Sequence, residues 1–438
     1  MERTLFIPGS VVPPTNHPLR SFISEEMHVR RIPHFESPTR LVQFVMQGEA
    51  HIAQLGMEHI QRLGDVASPP TTKIGKYFVQ RVGAFDLIFE AHSEFCTFIV
   101  VASGRKQPLN LNELEEAFPV DWFASLPGRT IQATQILYLP VGEPDPTTGE
   151  LARIFSRPDI VVCDLAGGKA RLWSDFDVHG DGFGRLIVAD RGMRGFEPSN
   201  LIQRLLEQGH YRNMALLGLP EAQRLMPQVA QLDQRLSQLT ASIAEQQQQD
   251  DELLREVSFL SAELAQLIAS TRYRMSATRA YAQLSNDRLR SLDVRVVPGY
   301  QCLTDFTERR LMPAARTCDS FSNRLDELSQ RVSWTSALLR TRVDTAVEKQ
   351  NRDQLRSMNH RVALQLRLQH TVEGLSVVAI SYYAIGLLKG ISEGLSVVLP
   401  QISPEVATGS ITIPVVALVW FALRRVKRHL HAIGLDRK

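Results

Sequence analysis

The chain has 438 residues, with 49 Lys and Arg against 47 Asp and Glu, for a formal net charge of +2. It is longer than one domain of about 100–200 residues, and its near-neutrality excludes a global nucleic-acid footprint, so no nucleic-acid partner is expected. Cys96, Cys163, Cys302 and Cys318 show no CxxC spacing, which excludes a zinc module and a disulfide framework and fits a reducing cytoplasm.

The N-terminal stretch MERTLFIPGSVVPPTNHP has no apolar run long enough for a signal peptide, so most of the chain is expected to stay cytoplasmic. Residues Met1 to Thr15 are Pro-rich and read as a flexible N-terminus. Asn16 or His17 can cap a helix that starts at Pro18 and ends before Pro33. Arg40 to Gln47 reads as a buried strand and Ala50 to Leu63 as an amphipathic helix. Three strand-like runs follow, Lys76 to Val82, Phe85 to Ala91 and Phe95 to Ala102. Tight turns at Gly83 and His92-Ser93 make them an antiparallel meander.

Leu111 to Phe118 reads as a short helix, Thr130 to Leu139 as a strand and Gly142 to Gly149 as a turn-rich loop. Asp159 to Leu165, Ala170 to Asp177 and Gly184 to Asp190 complete about seven strands, which predicts an α+β or mixed α/β domain over 16–197. A helical stalk is predicted over 198–370. Its helices are Leu201 to Leu217, Glu221 to Ala244 and Leu253 to Leu292, with a polar joint at Gln246 to Gln249. Leu253, Val257, Leu260, Leu264 and Leu267 are spaced as a coiled-coil seam. The last helix starts near Gln301 and is expected to kink at Pro313. At ~1.5 Å per residue, Ala314 to Leu388 would extend about 110 Å.

Two apolar segments close the chain. Val372 to Leu388 carries only Glu373, and Val406 to Leu423 carries no charge. Each is long enough to cross a bilayer. The predicted layout is a first transmembrane helix over 371–390, an outer connector over 391–405, a second transmembrane helix over 406–423 and a basic tail over 424–438. Arg361 and Arg367 precede the first span, and Arg424, Arg425, Lys427 and Arg428 follow the second. The positive-inside rule puts both termini in the cytoplasm. The basic tail reads as an orientation signal in contact with lipid phosphates of the bilayer.

No catalytic signature is found, so an enzyme is not the expected class. Gly180-Asp181-Gly182-Phe183-Gly184 is not GxGxxG, and Asp175, Asp177 and Asp181 do not have calcium-loop spacing; a hairpin turn is expected there. His17, Glu25, Glu26, His28, Arg30 and His34 form the densest titratable cluster. Glu25 and His28 are three apart on one helix face, a weak metal or anion candidate beside a polar helix docked on the sheet. Glu373 is an acid just inside the bilayer boundary. In a ring of subunits it could attract a divalent cation, with Ser376, Ser381 and Tyr382 also lining a pore; the alternative is a headgroup-depth residue paired with Arg367 or His370. No other cofactor is expected.

Four stretches, NHPLRSFISEEMHVRRIP, LREVSFLSAELAQLIASTRYRMSATRAYAQL, FTERRLMPAARTC and QLRLQHTVEGLSVVAISYYAIGL, resemble a bacterial family of uncharacterised membrane-anchored proteins, a domain of unknown function. That resemblance implies a membrane anchor and names no activity. The layout is also similar to the CorA magnesium transporter superfamily, which implies a homo-oligomer, a pentameric funnel whose first spans line the pore. Ala384-Ile385-Gly386-Leu387 stands where that family has Gly-Met-Asn, so no functional residue carries over. The expectation is an oligomeric ion conduit. The alternatives are a membrane-anchored scaffold or regulator that meets protein partners through its coiled-coil region, and a tethered enzyme using the His28 cluster.

Overall fold

The computed structural model describes residues 17–26, 32–48, 51–64, 72–74, 77–105, 116–245, 250–396 and 404–435. The expected flexible N-terminus, the polar joint and most of the short helix at 111–118 lie outside them. The chain divides into two compact units, Met1–Ser336 and Ala337–Lys438.

The first unit is built on a ten-stranded sheet, and eight of its strands lie on runs that read as strands in the sequence. Its strands are β1 (Thr39–Gln47), β2 (Thr72–Ile74), β3 (Tyr77–Val82), β4 (Phe85–Ala91), β5 (Phe95–Ala102), β6 (Arg129–Leu139), β7 (Val161–Leu165), β8 (Ala170–Ser174), β9 (Gly184–Asp190) and β10 (Arg295–Val296). The order is β10-β7-β8-β9-β6-β1-β5-β4-β3-β2. The predicted meander is β3-β4-β5, paired antiparallel with Val82 opposite Phe85 and Ala91 opposite Cys96. One parallel pair, β6 with β9, joins two antiparallel halves. β8 stops at Ser174, three residues before the predicted end, because Phe176 turns into the left-handed region with φ 49°.

Every residue of β5 is buried, as expected for a central strand covered on both faces. Alternate residues separate the two cores. Phe98 and Val100 pack with Ile52 and Ile60 of helix α2 (Ile52–Gln61) and with Phe118 and Trp122. Ile99 and Val101 face the other layer, in the same core as Leu201, Leu205 and Leu206 of a later helix, Leu289, and Leu303. A small helix, α3 (Thr148–Ile154), closes one end of the α2 face through Leu151; α1 (Arg20–Glu26) precedes β1. Thr147 and Glu150 form the capping box of α3, a start signal inside the stretch read as a loop.

Helices α4 (Glu197–Leu216), α5 (Gly218–Glu245), α6 (Asp250–Ser291) and the first part of α7 (Leu303–Ser396) complete the unit. Three of them bury residues at alternating steps of three and four. In α5 these are Ala222, Leu225, Val229, Leu232, Leu236, Leu239 and Ile243; in α6, Leu253, Val257, Leu260, Leu264 and Leu267; in α7, Leu311, Ala314, Cys318, Phe321, Leu325, Leu328 and Val332. That spacing keeps one apolar stripe facing its neighbours. Asp233 of α5 binds Arg324 (3.1 Å) and Arg331 (2.5 Å) of α7, and Arg279 of α6 binds Asp319 of α7 at 2.8 Å. The helix continues through Pro313, whose carbonyl accepts from Thr317 Oγ1 at 2.9 Å.

The second unit contains the rest of α7 and helix α8 (Pro404–Leu435). Both helices are long and apolar enough to cross a membrane, each with an 18-residue window of mean hydropathy 1.5. α7 runs on to Ser396, past the predicted end of the first apolar helix at 390.

Candidate ligand-binding site

The parallel contact of β6 with β9 places Thr134 opposite Gly184, and α4 crosses this part of the sheet. Between them lies a cavity of about 210 Å³, lined by Gln132, Thr134, Ser174, Phe176, Gln208, Arg212 and Asn213 among others. Gly209 brings the helix close: a Cβ there would sit 3.2 Å from Gln132 Nε2.

Most polar groups lining the cavity have partners. Asn213 Nδ2 donates to Gln132 Oε1 at 2.9 Å, and Gln132 Nε2 donates to Thr134 Oγ1 at 2.9 Å. Ser174 Oγ donates to the Arg185 carbonyl at 2.8 Å, and Gln208 Nε2 reaches Ser285 and Thr307 at 3.4 Å. Asp177, the carboxylate in the lining, is held by Arg157 at 2.7 Å.

Arg212 is the exception. Its Nη1 is buried and has no hydrogen-bond partner among the described residues. Its guanidinium lies 4.8 Å from the Phe176 ring and 5.6 Å from the Phe306 ring, and the two rings stack at 4.8 Å. Burial pushes the guanidinium down to about 10, the direction expected for a cation taken from water without a counter-charge. Cation–π contacts offset part of that cost and leave the N–H edges free. A planar cation with unused donors, beside amides and hydroxyls, is suited to a carboxylate or phosphate group. The volume suits a ligand of a few heavy atoms, below the usual range for drug-sized sites.

Arg212 was not singled out from the sequence. Its signal was a charge on an apolar face, since Leu201, Leu205, Gln208 and Arg212 are spaced four, three and four apart.

The residues that the sequence did single out are dispersed. His28 and the Glu25 side chain lie outside the described residues; His17 Nδ1 accepts from Leu19 N at 3.1 Å, and His34 stands against Phe196. Among the described residues, no group of three His, Cys, Asp or Glu side chains is arranged to hold a metal ion. Asp175, Asp177 and Asp181 do not converge: Asp177 takes Arg157, Asp181 takes Arg185 at 2.8 Å and Asp175 takes His179 at 3.3 Å. All four cysteines are buried free thiols, and burial pushes Cys96 and Cys163 up to about 12.

In the second unit, Glu373 sits 3.6 Å from His370 and accepts from Gln369 Nε2 at 3.4 Å. Ser376 Oγ donates to the Val372 carbonyl at 2.8 Å, Ser381 is buried and Tyr382 is 75% exposed. Arg424 stacks on Trp420 at 4.8 Å and Arg425 is exposed, while the Lys427 and Arg428 side chains lie outside the described ones.

A ten-stranded sheet layered by helices, a helical bundle and two long apolar helices define a mixed α/β protein with an apolar C-terminal pair. Residues 15–430 match the family described as "Protein of unknown function (DUF3422)", and the chain belongs to that family. No curated protein matches the chain.

Proposed function

We propose that this is a membrane-anchored regulatory protein whose globular unit binds a small anion, of the size and charge of phosphate or a short carboxylate, at Arg212. The observation that carries this reading is the unpaired, desolvated guanidinium facing a polar-lined cavity. Phe306, one of the two rings against Arg212, belongs to the first turn of α7, the helix whose later residues form an apolar span-length segment. A ligand at Arg212 would thus be linked to that helix through the Arg212–Phe306 contact. The apolar side chains left exposed on α7 and α8, such as Leu375, Leu387, Ile413 and Leu418, support a lipid contact. With the basic flanks, they support insertion into a bacterial inner membrane with both termini cytoplasmic.

The test is thermal unfolding of the detergent-purified full chain in increasing phosphate, or increasing acetate and succinate, against chloride at matched ionic strength. A site filled at a hundredfold excess over Kd stabilises the fold by about 2.7 kcal/mol. The expected result is a saturable rise with one class of anion in the wild type and none in Arg212→Met. An equal rise in both proteins would remove the site from the reading.

A second reading, an oligomeric conduit for divalent cations, is favoured by the continuity of α7 from the bundle into the apolar segment and by Glu373 at its start. In a ring, Glu373, Ser376, Ser381 and Tyr382 would face an axis, and the helices would meet as coiled coils. The mass of the detergent particle tests it. A closed ring such as a pentamer supports the conduit, and a monomer or dimer rejects it.

A further inference from the structure

Opposite in character to the unpaired Arg212, a second group of side chains is fully connected. Ser156 lies just after α3 and is exposed to solvent. Its Oγ is 2.8 Å from His179 Nδ1, and His179 Nε2 is 3.3 Å from Asp175 Oδ1. The His179 and Asp175 side chains are 4% and 0% exposed. Asp175 is fixed independently of the imidazole: Oδ2 accepts from Ser156 N at 3.0 Å and Oδ1 from Asp177 N at 3.3 Å. His179 is fixed by its own turn, donating its N–H to the Phe183 carbonyl at 3.0 Å and accepting from Gly182 N at 2.8 Å.

In a neutral imidazole, a carboxylate acceptor at Nε2 takes the nitrogen that bears the proton, which leaves Nδ1 as the lone pair. The Ser156 hydroxyl must then donate to Nδ1. A hydroxyl bonded to an imidazole base, itself oriented by a carboxylate, is the arrangement that activates serine nucleophiles. The two ring nitrogens exchange their usual partners, which leaves the proton transfer unchanged. Ser156 is an exposed residue, while the base and its carboxylate are shielded.

We propose that Ser156 is an activated nucleophile that takes acyl or phosphonyl groups from activated esters, with His179 as its base and Asp175 as the positioning residue. With an ester, the Ser156 Oγ–C bond forms as the ester C–O bond breaks; the proton passes from Oγ to His179 Nδ1 and then to the leaving alkoxide. Water then repeats the sequence on the acyl-serine, giving a free acid and restoring Ser156. With a fluorophosphonate probe, the Oγ–P bond forms, fluoride leaves and His179 takes the proton. This proposal does not depend on Arg212.

The experiment is timed labelling of the folded full chain with a fluorophosphonate, with the adduct mapped by peptide mass spectrometry. The expected result is one adduct, on Ser156, with Ser156→Ala unlabelled. General-base assistance contributes about 10²–10⁴-fold, so His179→Gln should label about 10²-fold more slowly, and the rise of the rate with pH should disappear in it. Asp175→Asn, which keeps the shape of the side chain, should slow labelling as well. Thermal unfolding of each variant checks that it is folded. Absence of a Ser156 adduct in the wild type, or a Ser156 rate equal in wild type and folded His179→Gln, would overturn the proposal.

Discussion

His210 shows what a single buried group does to this fold. It is 2% exposed, and neither ring nitrogen has a partner among the described residues. It lines a small cavity of about 20 Å³ together with Gln43, whose Oε1 is also unpartnered, and with Glu90, Thr97 and Glu207. That is room for one water molecule, which would bridge the two groups. Burial first, then the neighbouring charges of His92 and Arg288, hold the imidazole well below its usual range, so it is neutral when folded. The unfolded chain therefore binds more protons below about pH 6.5, and stability is lost as pH falls from there toward the folded value, by up to about 1.4 kcal/mol per pH unit. Urea unfolding at pH 7.5 and 5.5 should show a smaller loss in His210→Gln than in the wild type. Equal losses would mean that another group sets the acid limit.

The helices and strands follow from local pattern more directly than the sites do. Gly184–Asp190 and Phe85–Ala91 form strands over the residues their alternation predicts, and the seam from Leu253 to Leu267 is buried as its spacing requires. Two strands were missed, β2 and β10, with three and two residues, because such short runs hold no periodicity. The β6–β9 pairing joins segments about fifty residues apart, and no local signal encodes it. The candidate site was hidden for the same reason: its cavity takes residues from β6, the β8–β9 loop and α4. Ser156 and His179 are 23 positions apart, and no motif spans that gap. The bundle has its own consequence. Phe321 has no exposed surface, and Phe321→Ala should cost about 3–5 kcal/mol, read from chemical unfolding. A cost near zero would mean that α7 is not packed along the stripe that the spacing defines.

At the scale of the whole molecule, two units are joined by one continuous helix, with folded cores in the first and exposed apolar side chains in the second. Leu355, Met358, Val362 and Leu366 carry an exposed apolar stripe up to the span-length segment, a face suited to a second helix. If the apolar helices enter a bilayer, the full chain will stay with the membrane pellet after alkaline extraction, and a chain ending at Gln369 will not. Release of the full chain at alkaline pH would remove the anchor from the account. The central claim is that Arg212 receives an anion, and locating one is its most direct test. The full chain, crystallised with selenate, should show an anomalous selenium peak within hydrogen-bonding reach of Arg212 Nη1. The peak should be absent in Arg212→Met. A cavity filled by one of the chain's own carboxylates, or holding only water at saturating selenate, would contradict the account.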